Sequence, residues 1–136
     1  MNNDLELSVT LNNDLPGHSF LVVNSGGHQH IFGKSEHPQA IVWTLAGNAS
    51  NGEFCAPGDS VPGFAWPFDA PRSGIFSDLS KPASNKLRIV NHHTDRTTEG
   101  HWNYQLFARF GDHVYQTPWT TTNGSANTAN PSIKNT

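Results

Sequence analysis

The stretch His101-Trp-Asn-Tyr-Gln-Leu-Phe-Ala-Arg-Phe110 decides the fold class of this chain. Aromatic and apolar side chains fall on one parity of the stretch, and these are Trp102, Tyr104, Leu106, Ala108 and Phe110. The other parity is polar apart from Phe107. Because successive side chains of a β-strand point to opposite faces, the alternation predicts a long strand with one face in a core. Gly111-Asp112 ends it, and His113–Gln116 is predicted to be its hairpin partner.

The rest of the chain predicts more short strands separated by turn residues. The clearest are residues 5–11, 19–23, 40–45 and 87–91, and the weaker ones are 28–32, 53–56, 63–68 and 75–76. No segment of more than about ten residues has apolar residues at helical spacing. The pattern predicts one domain over residues 1–136, an antiparallel immunoglobulin-like β-sandwich of about seven to nine strands. Residues 120–136 are expected to be a flexible tail with a short last strand.

Composition and charge exclude several classes of function. The net charge is −3 and the eight Lys and Arg residues are scattered, whereas nucleic-acid binding through phosphates needs clustered basic residues. No window approaches the roughly 18 apolar residues of a membrane-spanning helix, and the N-terminus has no signal-peptide pattern. We therefore expect a cytoplasmic protein that contacts neither nucleic acid nor membrane.

Cys55 is the single cysteine of the chain, so no intrachain disulfide can form. It would be a nucleophile only with a neighbouring base. Its flanks, Phe54 and Ala56, favour a small buried core residue instead. The sequence also contains no Gly-x-Ser-x-Gly elbow of the kind found in α/β-hydrolases.

The C-terminal third resembles a family of small bacterial immunoglobulin-like proteins. A strand at Leu87–Asn91 leads into a polar loop with Asp95, then the aromatic strand, a hairpin and the ending Asn130-Pro-Ser-Ile-Lys-Asn135. That ending is similar to the Asp-Pro-x-Ile-x-Asn close of the DP-EP family and related inclusion-body proteins. The resemblance covers the last fifty or so residues, and Asn130 stands where the family has Asp. It implies an immunoglobulin-like sandwich of unassigned function, with no catalytic residue to carry over.

The histidines raise the alternative of a metal site. His28 and His30 form a His-x-His pair, which on a strand places both imidazoles on one face, and Glu36 follows. This pattern is partly similar to the metal set of a cupin, although Val22 stands where that motif has Gly. The favoured interpretation is that these are loop histidines, exposed or hydrogen-bonded. No cofactor is then expected, and a divalent transition metal is the alternative.

A Gly33-Lys34-Ser35 triplet does not predict nucleotide binding. Its spacing to the upstream Gly27 is one residue too long for a phosphate-binding loop. Such a loop must also open into a helix, and Pro38 with the strand at residue 40 leaves no room for one.

Two groups of residues are the candidates for ligand binding. Trp66 and Trp119 neighbour prolines in irregular segments, where exposed rings could stack on sugars or other flat ligands. His92, His93 and His101 surround the loop between the two late strands. The alternative is that the tryptophans close the open ends of the sandwich. We expect a small, soluble, non-enzymatic binding or structural module whose ligand the sequence does not identify. Its expected partner is a protein or a glycan, or a second copy of the chain, because exposed strand edges favour pairing.

Overall fold

The computed structural model describes residues 5–12, 20–24, 29–56, 58–66, 70–117 and 131–136. These residues contain twelve β-strands and two 3-10 helices, Gly47–Ala49 and Arg96–Thr98. The strands are β1 Leu5–Leu11, β2 Leu21–Asn24, β3 Gln29–Phe32, β4 Gln39–Leu45, β5 Glu53–Phe54, β6 Phe64–Ala65, β7 Phe76–Ala83, β8 Lys86–Asn91, β9 Gly100–Asn103, β10 Gln105–Phe110, β11 His113–Gln116 and β12 Ser132–Asn135. The predicted all-β class is confirmed. No helix in the described ranges is long and apolar enough to span a membrane.

The strands form three sheets. The first has the order β2-β1-β4-β8-β7, the second has the order β11-β10-β5 with β6 also on β10, and the third has the order β3-β12-β9. Most neighbours are antiparallel, as expected, but β1 with β4 and β3 with β12 are parallel. The sheets are therefore mixed. A parallel pair needs a long crossover, and here the intervening chain supplies other strands.

A single apolar core joins the three sheets. Trp43 and Leu87 come from the first sheet, Phe54 and Leu106 from the second, and Ile133 from the third, and all five are completely buried. Side chains from facing sheets therefore meet in one contiguous cluster, which is the arrangement of a sandwich.

The predicted long strand is two strands, β9 and β10. The break is at Tyr104, whose N–H donates to the main-chain oxygen of Pro131 at 3.0 Å. β9 pairs with β12 in the third sheet, while β10 pairs with β11, β5 and β6. The predicted parity holds through the break for Tyr104, Leu106 and Ala108, which are buried. Trp102 and Phe110, at the two ends of the same parity, are only half-buried. The chain thus passes from one sheet to another without changing the face that it buries.

Strand β7 is longer than the sequence predicts. Only residues 75–76 were expected to be extended, but β7 continues to Ala83 along the edge of the first sheet. Its pairing with β8 shifts register after Ser77 and again after Ser80. Pro82 is tolerated because an edge strand leaves one row of N–H groups without ladder partners. A last strand also forms, β12, whereas residues 120–130 of the expected tail lie outside the described ranges.

Candidate functional site

Three half-buried aromatic side chains form a row between the edge strands of two sheets. Trp66 follows β6, Phe76 begins β7 and Trp102 lies on β9. The ring centroids of Trp66 and Phe76 are 5.2 Å apart, and those of Phe76 and Trp102 are 5.6 Å apart. We call these three residues the aromatic row. Their partial exposure leaves ring surface available to a ligand.

Buried rings support the aromatic row from behind. Phe64 contacts Trp66 edge-on, with the ring centroids 4.9 Å apart, and stacks on Tyr104, with the centroids 5.5 Å apart. Trp43 packs against both Phe64 and Tyr104. Trp43, Phe64 and Tyr104 form the core ring cluster. Ring-to-ring contact therefore runs from the centre of the sandwich to its surface, so the positions of the exposed rings are set by packing.

The position of the Trp102 ring requires glycine at residue 100. A Cβ atom at Gly100 would lie 2.4 Å from Cζ2 of Trp102, closer than any real contact. The Trp102 side chain thus folds back across the main chain of Gly100. The ring can lie in this position only because residue 100 has no side chain, and a larger residue there would displace it.

The loop before β9, the strand that carries Trp102, has a network of polar groups. Arg72 lies shortly before Phe76 in the chain, and its guanidinium donates to the main-chain oxygen of Thr97 at 2.7 Å. Asp95 caps the 3-10 helix that contains Thr97, accepting from its N–H at 2.9 Å. The hydrogen bonds from the Thr97 side chain and N–H hold the pKa of Asp95 below its usual value. The loop is therefore ordered by its own hydrogen bonds.

His30, one of the predicted metal ligands, is buried inside the sandwich. Its Nε2 lies 2.8 Å from the Tyr104 hydroxyl oxygen, which also accepts from Trp43 Nε1 at 3.0 Å. His30 Nε2 is thus engaged with this hydroxyl group, which a metal ion bound through the same nitrogen would have to displace. Burial raises the pKa of Tyr104, so this hydroxyl stays neutral.

Of the other two predicted metal ligands, only Glu36 can be placed relative to the buried His30. Glu36 is exposed in the loop between β3 and β4, and His28 lies outside the described residues. No group of three or more His, Cys, Asp or Glu side chains among the described residues could hold a metal ion. The His-x-His metal site therefore stays a prediction.

His92 forms a close pair with a serine that sequence reasoning did not single out. Its Nε2 lies 2.6 Å from Ser77 Oγ, on the neighbouring strand of the first sheet. Both side chains are half-buried. Nothing in the local sequence marks Ser77, because its meeting with His92 depends on the register of β7 against β8.

His93 has a structural role. It is buried, with Nδ1 2.8 Å from Thr98 Oγ1 and Nε2 2.7 Å from the main-chain oxygen of Thr136. Since that main-chain oxygen can only accept, Nε2 must carry a proton. The buried amides of Asn91 and Asn135 bond to each other alongside. Together these contacts fasten β12 to the end of β8.

The remaining predicted residues fall in separate places. His101 is exposed on β9, opposite Lys134 of β12, and Trp119 lies outside the described residues. Of the predicted ligand residues that the structure describes, only Trp66 belongs to the aromatic row. Phe76 and Trp102 were missed because their contact with Trp66 depends on how separate sheets meet.

The Gly33-Lys34-Ser35 triplet lies in the loop between β3 and β4. Lys34 forms a 2.5 Å ion pair with Glu99 and also donates to the main-chain oxygen of Thr136. The Lys34 ammonium, by this hydrogen bond and its charge, lowers the pKa of Glu99. The lysine thus joins this loop to the C-terminal segment, with no helix at residues 33–38 to make a phosphate-binding loop.

Cys55 is buried, as predicted. Burial raises the pKa of its thiol, which makes the thiolate scarce and the side chain unreactive.

In comparisons with known proteins, no family model, curated protein or solved structure matches the chain. A function for this chain must therefore be inferred from the local geometry of its own residues.

Proposed function

We propose that the protein is a small binding module and that the aromatic row, Trp66, Phe76 and Trp102, holds a neutral carbohydrate. The observation that carries the proposal is the row of contacting, half-buried rings at the side of the sandwich. Aromatic rings offer apolar faces that stack on the C–H surfaces of sugar rings, with polar partners for the hydroxyl groups beside them.

Pre-organisation supports this proposal. Phe64 holds Trp66 from behind, and the main chain of Gly100 supports Trp102. Rings that are already ordered lose little conformational entropy when a ligand stacks on them. A set of tryptophan side chains that had to be ordered by the ligand would bind more weakly.

The character of the surroundings favours a neutral, hydroxyl-rich ligand over a charged one. Only 14% of the chain is charged, and the sequence is rich in Asn, Ser and Thr. Arg72, which shortly precedes Phe76 in the chain, is already engaged with a main-chain oxygen. A strongly charged ligand would meet few opposite charges near the row, whereas sugar hydroxyls can bond to amides, hydroxyls and main-chain groups.

A glycan array followed by titration calorimetry tests the proposal. We expect the full chain to bind one or more neutral oligosaccharides, and Trp66→Ala and Trp102→Ala each to weaken binding by about tenfold or more, since each loses a stacking face. His101→Ala is the matched control, because this exposed residue points away from the Trp102 side of β9. Absence of binding to any neutral glycan would overturn the proposal.

Other features of the module stay predictions. They are the immunoglobulin-like class, the DP-EP resemblance with its implied bacterial origin, the cytoplasmic location and the homodimer. Analytical ultracentrifugation of the full chain measures the oligomeric state directly. If the chain instead captures a protein ligand, the same Trp66 and Trp102 variants will show whether that ligand uses the aromatic row.

A further inference from the structure

Ser77 and His92 have the geometry of a nucleophile with its base. Ser77 Oγ and His92 Nε2 are 2.6 Å apart, within the range over which an imidazole takes a proton from a hydroxyl. The carboxylate of Asp78 is a more distant partner of the same hydroxyl, at 3.3 Å. The short contact therefore makes His92 the principal partner of Ser77.

A rigid platform presents the two side chains. The N–H of His92 donates to the main-chain oxygen of Ile75 at 2.7 Å, and Phe76 pairs with Asn91. Ser77 is thus held within β7, and the main chain of His92, the residue directly after β8, is fixed by its bond to Ile75. A hydrogen-bonded nucleophile and base need such accurate positioning.

The chain is strained immediately after Ser77. The register of β7 shifts between Ser77 and Ser80, so one extra residue bulges out of the ladder. Asp78, within this bulge, has a φ of 57°, in the left-handed region that costs a non-glycine residue energy. Bulges re-aim neighbouring side chains and are common beside active sites, and strained residues concentrate at such sites.

Apolar side chains lie next to the pair. Val90 is directly opposite Ser77, and Ala40 is opposite Val90 on the next strand. Both are buried and neither belongs to the central core cluster. The surroundings therefore suit a small apolar acyl group better than a charged substrate.

We infer that Ser77 is an activated nucleophile, with His92 as its general base, that accepts acyl groups from activated esters of small carboxylic acids. Ser77 Oγ forms a bond to the carbonyl carbon and the bond from that carbon to the leaving oxygen breaks. The hydroxyl proton passes to His92 Nε2 and from there to the leaving oxygen. This inference does not rest on the carbohydrate proposal, since Ser77 and Phe76 are consecutive strand residues that point to opposite faces. Acyl transfer to Ser77 is not among the functions that the sequence predicts.

Two serine-directed probes test the inference on the full chain. A biotinylated fluorophosphonate should label Ser77, releasing fluoride, and p-nitrophenyl acetate should add one acetyl group, found by intact mass and located by peptide sequencing. Ser77→Ala should abolish both. His92→Ala and His92→Gln should slow labelling about a hundredfold, the usual contribution of a general base. Added imidazole should partly restore the rate in His92→Ala.

The controls separate chemistry from folding. Ser80→Ala, a change at an exposed serine on the same strand, should leave labelling unchanged. Circular dichroism checks that each variant is folded, and His92→Gln provides the base-free variant if His92→Ala does not fold. Absence of labelling in the unmodified chain, or equal labelling of Ser77→Ala, would overturn the inference whatever the outcome for carbohydrate binding.

Discussion

The core ring cluster and the aromatic row contain similar side chains in very different surroundings. In the core, Trp43 and Tyr104 are completely buried and joined by a hydrogen bond between indole and hydroxyl. In the row, Trp66 and Trp102 are half-exposed and contact each other through Phe76. One continuous series of ring contacts therefore includes a closed part and an open part.

The difference separates a role in stability from a role in binding. Among the described residues no buried side-chain nitrogen or oxygen lacks a hydrogen-bond partner, so the polar atoms of the core cluster are satisfied and have nothing to offer a ligand. The row still has uncovered apolar surface. We expect changes in the core to affect the free energy of unfolding strongly and changes in the row to affect binding.

The largest effect should come from Trp43→Ala. Removing this completely buried side chain leaves a large cavity, and such changes reduce the free energy of unfolding by about 3–5 kcal/mol. Urea unfolding measures the loss. Trp102→Ala is the matched variant in the row, and its loss should be clearly smaller because the side chain is half-exposed. Equal losses at the two positions would remove the distinction between core and row.

The sequence was sufficient to predict the core half of this comparison. The alternation from Trp102 to Phe110 correctly predicts that Tyr104, Leu106 and Ala108 are buried, because parity on a strand is a local property. Local patterns do not show where a strand changes partners, so the break at Tyr104 was missed. Most of β7 was missed for another reason: Ser, Asp, Lys and Pro have low strand propensity, and only pairing with β8 makes this segment extended.

The candidate site was harder to predict than the core. Trp66 was singled out for its irregular surroundings, but its partners Phe76 and Trp102 come from distant parts of the chain. The pair of Ser77 and His92 likewise depends on strand register. His30 and His93, named as candidates for metal and ligand binding, bond to groups within the sandwich. Residue type and spacing cannot distinguish a buried, satisfied histidine from a ligand.

Tyr104→Phe should have the next largest effect. It removes only a hydroxyl, but that hydroxyl bonds to both Trp43 and His30 in the core. Leaving buried polar groups without a partner costs about 1–3 kcal/mol of unfolding free energy. A double-mutant cycle with Trp43→Phe measures the coupling. If the two losses are simply additive, the hydrogen bond does not stabilise the cluster.

Alkaline pH should weaken the same cluster. Because burial raises the pKa of Tyr104, the folded state keeps its phenol protonated while the unfolded chain ionises near pH 10. The contribution is fully present below that pH and is lost as the pH rises, at up to about 1.4 kcal/mol per pH unit. Unfolding by urea between pH 8 and 11 tests this, with Tyr104→Phe expected to show a shallower decline. Parallel declines would mean that Tyr104 is not the responsible group.

Conservative changes in the aromatic row should have the smallest effect on the free energy of unfolding, and tryptophan fluorescence can then show how exposed the row is. Trp66→Phe and Trp102→Phe keep a ring in the row, so each should alter the unfolding free energy by less than about 1 kcal/mol.

Acrylamide quenching then compares two chains that both carry Trp119→Phe. One also carries the two row changes and retains Trp43 alone, and its fluorescence should resist quenching because Trp43 is completely buried. The other carries Trp43→Phe and keeps the row tryptophans, which acrylamide should quench and a bound oligosaccharide should protect. Equal quenching of the two chains would show that the row is no more open to small molecules than the core, and the carbohydrate proposal would then lose the exposed ring surface on which it depends.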